Sequence, residues 1–233
     1  MLISAIQKFT MLDYPEHTAC IVFTPGCNFR CGYCHNPEFV LPEMIAKIRN
    51  SFIPEDVFFH FLEQRIGKLD GVVITGGEPT LMPDLRQFIE KIKNLGFLIK
   101  LDSNGGRPEV LEKLFAENLL DYVAMDVKTS LREYPRLVGP RLDPNKIQKS
   151  IEIIMNSGVD YEFRATMMKE LHPAEVLESM SEMMHGAKQF FLQTFRPQKT
   201  LDPKFENYQA FSSSELENIA QIFAKNIDHV YVR

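Results

Sequence analysis

Three of the chain's four cysteines fall within eight residues: Cys27, Cys31 and Cys34 in the run C-N-F-R-C-G-Y-C-H-N. Thiolates this close on one loop make a ligand set for a metal or an iron–sulfur cluster. A four-iron cluster has four irons to ligate, and the loop offers three thiolates. One iron is then left to a ligand that is not protein, and an open position of that kind is where chemistry occurs at metal sites. Two other readings of the loop stand beside this one. His35 could complete a zinc knuckle with the three cysteines, although gaps of three and then two residues are unusual for zinc and no second cysteine pair closes a ribbon. A passive electron carrier could use the same ligands.

Further along, Gly76-Gly77-Glu78-Pro79 joins two glycines, which allow close backbone approach, to a carboxylate suited to an ammonium group. Taken alone this is an ordinary glycine-rich turn with an acid at a helix start. Asp102, Ser103 and Asn104 close one apolar run, and Met125-Asp126-Val127-Lys128 closes another. Asp126 and Lys128 are two apart, so an extended chain points both to one side; the plain alternative is a surface ion pair of little consequence. Arg164 lies inside an apolar run, where an arginine needs a partner: a ligand carboxylate, a ribose or an internal acid. Gln193 and Arg196 end the last such run and could reach a nucleoside. Cys20 reads as a small core residue. His35 and Asn36 follow the last cysteine, and His17, His60, His172, His185 and His229 carry no motif.

The elements that must position these residues alternate. Strands are expected at Ala19–Phe23, Val72–Thr75, Phe97–Leu101, Tyr122–Met125, Glu162–Thr166 and Phe190–Gln193, mostly apolar throughout, as in parallel sheets covered on both faces. Helices are expected from Pro54, from Pro83 to a stop at Gly96, and near 108–118, 143–156, 173–185 and 213–225. Six strand–helix units predict an α/β fold, a partial (β/α)6 barrel, with an open doubly wound sheet as the alternative. A full eightfold barrel usually takes roughly 250 residues. The flagged residues cluster at or just after C-terminal ends of strands, where active sites of barrels and open α/β sheets lie.

The chain has 233 residues, 45% hydrophobic and 24% charged, enough for a single domain over 1–233. A net charge of −5 gives no sign of general nucleic-acid binding. No run approaches the roughly 18 apolar residues of a membrane span, and the first residues lack the pattern of a signal peptide. The expected setting is the cytoplasm, where thiols stay reduced and disulfides are disfavoured.

Cys27, Cys31 and Cys34, with Tyr33 before the last cysteine, together with Gly76-Gly77-Glu78-Pro79, resemble the two signature motifs of the radical SAM superfamily. The resemblance covers a core at about 18–195 and implies a [4Fe–4S] cluster on the three cysteines and S-adenosylmethionine on the fourth iron. It implies that Glu78, with the backbone of Gly76 and Gly77, receives the methionine ammonium, and that Tyr33 lies against the adenine. Cys34-His35-Asn36-Pro37, Thr24-Pro25-Gly26, Asp102 to Asn104 and Asp126 to Lys128 resemble glycyl-radical-enzyme activases, most nearly those of anaerobic ribonucleotide reductase. That likeness implies an oxygen cage from Asp102, Ser103, Met125 and Asp126, a monovalent cation near Asp102 and Asp126, and Lys128 on the SAM carboxylate. It implies a glycyl radical enzyme as partner and a reductant such as flavodoxin or ferredoxin. With Cys20 as the only spare cysteine, no four-cysteine auxiliary cluster of the kind many activases carry can form. A radical SAM enzyme acting on a small molecule, an RNA base or a peptide is the alternative, and a non-catalytic metal or electron-transfer protein a remote one.

Overall fold

The computed structural model describes residues 1–233. Its strands are β1 (Ala5–Thr10), β2 (Ala19–Thr24), β3 (Gly71–Gly76), β4 (Leu98–Ser103), β5 (Tyr122–Asp126), β6 (Asp160–Met167), β7 (Gln189–Thr194) and β8 (His229–Val232). They are neighbours in chain order from β1 to β8. The helices are α1 (Pro42–Ile48), α2 (Glu55–Glu63), α3 (Leu85–Asn94), α4 (Pro108–Ala116), α5 (Tyr134–Val138), α6 (Asn145–Met155), α7 (Ala174–Met183) and α8 (Ser213–Phe223). All six expected strands form, as β2 to β7. Two more flank them: β1 pairs antiparallel with β2, and β8 runs parallel to β7. The short helices α1 and α5 were also absent from the sequence expectation.

The contacts divide the chain into two compact units. The first comprises Met1–Asn28, Asn36–Ser103 and Glu109–Val123. In it β2, β3 and β4 are parallel, with Cys20 opposite Val72 and Val73 opposite Lys100. Tyr14, Ala19, Ile21, Val73 and Tyr122 form one buried cluster, and Phe23 and Leu98 pack against it. Helices α2 and α3 meet through Phe58 and Phe88, whose rings lie 5.4 Å apart. The apolar stripe of α3 (Leu85, Phe88, Ile89, Ile92) is fully buried, as its helical spacing requires.

The second unit comprises Phe29–His35, Asn104–Pro108 and Ala124–Arg233. Here β6 and β7 are parallel, with Arg164 opposite Phe191. Phe190 of β7 packs against Phe223 of α8 at 4.6 Å. Helix α8 begins with a complete capping box, Ser212 and Glu215 satisfying one another's backbone N–H groups. No helix is long and apolar enough to cross a membrane.

Candidate active site

The cysteine loop leaves β2 through Thr24-Pro25-Gly26. Within the first unit, its start is fastened by backbone to the turn after β3. Gly77 donates to the Thr24 carbonyl at 2.8 Å, Glu78 to the Gly26 carbonyl at 2.7 Å, and Gly26 to the Phe39 carbonyl at 2.7 Å. A Cβ on Gly77 would stand 2.1 Å from the Gly26 carbonyl oxygen, and one on Gly76, where φ is +119°, would stand 2.4 Å from Thr24 N. Glycine is required at both positions because two stretches of main chain touch. The close approach these glycines permit is thus to the loop that carries Cys27.

Glu78 is buried and caps the short 3-10 turn Pro79–Leu81. Its Oε1 accepts from Thr80 N at 3.1 Å, from the Thr80 hydroxyl at 2.5 Å and from the Ser103 hydroxyl at 3.0 Å. Oε1 is thus oriented by the last residue of β4 and by its own turn. Ser103 therefore contacts Glu78 directly. Asp102, one residue earlier, binds the Lys100 ammonium at 2.7 Å. Lys100 is buried, and its nitrogen lies 5.8 Å from the centre of the Tyr122 ring. The sequence hid Lys100 inside an apolar run, and it hid Thr80 after the glycine motif.

In the second unit, Cys34 N donates to the Cys31 carbonyl at 3.0 Å, a tight turn that brings the two residues together. None of the chain's cysteines is in a disulfide. Burial pushes the Cys31 thiol up to about 11, and the Lys128 ammonium pulls against that rise. Ligation must therefore displace a proton. A strap from the C-terminal part of the chain covers the turn. Leu201 N donates to the Cys34 carbonyl and Asp202 N to the Gly32 carbonyl, both at 2.9 Å. Phe205 of the strap packs on Tyr33 with ring centres 6.3 Å apart. Tyr33, expected against an adenine, is buried with Phe205 at its side. His35 stacks on Phe195, and its Nε2 lies 3.0 Å from the Arg196 carbonyl.

The end of β5 forms a charged group with β6. Asp126 accepts from Lys128 Nζ at 3.2 Å and from Arg164 Nε at 3.0 Å. Burial would raise the Asp126 carboxyl, but the two cations outweigh it and hold the group at about 2. Lys128 is held well above the ordinary lysine range: burial opposes the charge, and Asp126 more than offsets it. Arg164 also approaches Glu162, which is buried, at 3.7 Å. The internal acid allowed for Arg164 is thus present. Asn104 uses its side chain to accept Gly106 N, and Met125 is packed beneath Gly105, where a Cβ would meet its methyl at 2.1 Å. Gln193 lies half-buried in register with Thr166. Asp102 and Asp126 are each neutralised by cations of their own unit, so the expected monovalent cation gains no support.

No three His, Cys, Asp or Glu side chains close round a single point as a one-metal site requires. A cluster makes a different demand, one thiolate for each of three separate irons, and three cysteines on one loop, none of them in a disulfide, meet it in donor type and number. The radical SAM superfamily profile matches residues 21–183. The chain belongs to the radical SAM superfamily. It is 34% identical to the "Putative glycyl-radical enzyme activating enzyme MJ1227" of Methanocaldococcus jannaschii, over all of this chain and 95% of that one. It is 29% identical to the "Probable GTP 3',8-cyclase" of Thermococcus kodakarensis over 80% of this chain and 64% of that one. Among solved structures, Streptococcus suis SuiB bound to S-adenosylmethionine superposes with a TM-score of 0.61 at 15% identity, covering 91% of this chain and 48% of SuiB. The chain thus spans about half of SuiB's length. The partial-barrel α/β fold of the superfamily is the fold of this chain, and membership carries with it a [4Fe–4S] cluster and S-adenosylmethionine.

Proposed function

We propose that this radical SAM enzyme is an activase that places a radical on a glycine of a partner enzyme, an anaerobic ribonucleotide reductase being the nearest candidate. The observation that carries the reading is the likeness to the M. jannaschii activating enzyme, which runs the full length of this chain at 34% identity. Cys27, Cys31 and Cys34 would hold the cluster. Once bound and reduced by one electron from a donor such as flavodoxin or ferredoxin, it would supply the reductive cleavage of S-adenosylmethionine that lets one hydrogen be taken from the glycine Cα, with methionine and 5′-deoxyadenosine as the products.

The chain's residues bind and orient. Glu78, fixed by Thr80 and Ser103, takes the methionine ammonium. Lys128 takes the methionine carboxylate. Arg164 secures Asp126, which in turn steadies Lys128. Tyr33 and its cover by Phe205 exclude water from the cysteine turn.

The test is anaerobic reduction of the cluster-loaded protein with S-adenosylmethionine and a candidate partner. 5′-Deoxyadenosine together with a glycyl radical signal in electron paramagnetic resonance supports the activase. 5′-Deoxyadenosine without a radical on any glycyl radical enzyme overturns it. The likeness to the GTP 3',8-cyclase favours a second reading, a nucleotide substrate. Turnover of GTP in the same assay would establish that reading instead.

A further inference from the structure

Lys128 lies two residues beyond β5, outside the sheet, yet both polar groups of its main chain are held by buried side chains. Its N–H donates to the Tyr134 hydroxyl at 2.9 Å. Its carbonyl lies 3.1 Å from Nε2 of His172. Nδ1 of His172 meets the main chain of Met168, 3.1 Å from the N–H and 3.0 Å from the carbonyl. With the ring proton on Nε2, the ring donates to the Lys128 carbonyl and Nδ1 accepts the Met168 N–H. Tyr134 and His172 are 0% and 1% exposed, and they come from separate places, α5 and the segment before α7. Two buried polar side chains thus converge on one residue that no ladder or helix secures. Tyr134 also packs edge-on against Phe29 of the cysteine loop, with ring centres 6.4 Å apart.

We propose that Tyr134 and His172 are positioning residues for the S-adenosylmethionine site, clamping Lys128 by its backbone and so fixing where its ammonium stands. The inference rests on the reading that Lys128 meets the methionine carboxylate. A lysine stem has four flexible carbons. The place of its head is set by where the stem starts and by what holds the tip, here Asp126 at 3.2 Å. With the start anchored, binding spends less free energy on ordering the side chain. The Phe29 contact ties the same anchor to the loop bearing the cluster ligands.

The test uses cluster-loaded protein carrying His172→Phe, His172→Gln, Tyr134→Phe or Lys128→Met, and the double variant of Lys128→Met with His172→Phe. The dissociation constant for S-adenosylmethionine is read from the change it causes in the paramagnetic resonance spectrum of the reduced cluster. Amide hydrogen exchange at residues 126–130 is read without S-adenosylmethionine. His172→Phe and Tyr134→Phe are each expected to raise the dissociation constant about fivefold to tenfold, with iron content unchanged and faster exchange at Lys128. His172→Gln, whose amide N–H can replace Nε2–H, is expected to recover most of the affinity. In the Lys128→Met background, His172→Phe should have less than about a twofold effect. The proposal is overturned if His172→Phe and Tyr134→Phe leave affinity unchanged while Lys128→Met weakens it, or if His172→Phe weakens binding equally in the Lys128→Met background. An unchanged affinity in Lys128→Met itself overturns the underlying carboxylate reading, a result distinct from both.

Discussion

Ser103 donates its hydroxyl to Glu78 Oε1 across 3.0 Å, tying the end of β4 to the turn that follows β3. Glu78 is thereby held by two elements, and its direction does not depend on the turn alone. Ser103→Ala is expected to weaken S-adenosylmethionine binding about fivefold, the scale of one lost hydrogen bond to a charged group, with little change in melting temperature. Glu78→Ala should weaken binding more and also lower stability by about 1–2 kcal/mol through loss of the cap. Titration calorimetry and thermal unfolding of the cluster-loaded variants separate the two effects. Unaltered affinity in Glu78→Ala would remove this carboxylate from the ligand site.

Asp126 provides a pH dependence of defined sign. Its carboxyl is lowered from 3.8 to about 2, burial being outweighed by Lys128 and Arg164. Because the folded value lies below the unfolded one, its contribution to stability is complete above pH 3.8 and is lost as pH falls through about 2. Melting temperature followed from pH 5 to 2 should drop less steeply in Asp126→Asn than in the unaltered protein. Parallel curves would show that the ion pairs with Lys128 and Arg164 add nothing to folding.

Gly32 and Phe205 are matched in shape. A Cβ on Gly32 would sit 2.1 Å from the edge of the Phe205 ring. Gly32→Ala is expected to reduce cluster incorporation by displacing the strap. Combining it with Phe205→Ala relieves the clash, so the double variant should hold more iron than Gly32→Ala alone. A double variant no better than the single one would mean that the ring is not what forbids a side chain there.

Cys31 and Cys20 are both buried, yet they are expected to respond differently to alanine. Cys31→Ala should abolish cluster assembly and S-adenosylmethionine cleavage, since the loop holds no spare thiolate. Cys20→Ala, on β2 and fully buried, should cost about 1 kcal/mol of packing and leave iron and sulfide content unchanged. Full iron loading in Cys31→Ala would contradict the ligand assignment.

The sequence revealed most where burial dictated residue type. The six central strands were legible because both of their faces are covered, as in β2, where five of six residues are buried. Edge strand β1 was not, since three of its six residues face solvent and no alternation marks them. Strand β8, four residues long, gave too short a run. Cys27, Cys31, Cys34 and Glu78 stood out by type and spacing. Lys100 did not, because a buried cation inside an apolar run looks like an interruption until Asp102 is seen to hold it. The strap was illegible for a different reason: its grip on the cysteine turn is through backbone hydrogen bonds at Leu201 and Asp202, which any side chains could make. His172 and Tyr134 likewise act on main-chain atoms of Lys128, and that leaves no pattern in a sequence.

The strap lies beyond residue 183, where the superfamily match ends. The turn bearing Cys31 and Cys34 is thus braced by a stretch outside the matched residues. A chimaera grafting residues 21–183 onto the flanks of another superfamily member would carry every signature motif and still leave that turn without its buttress. In this protein the portable unit is longer than the motifs: Leu201, Asp202 and Phe205 have to travel with the cysteines they support.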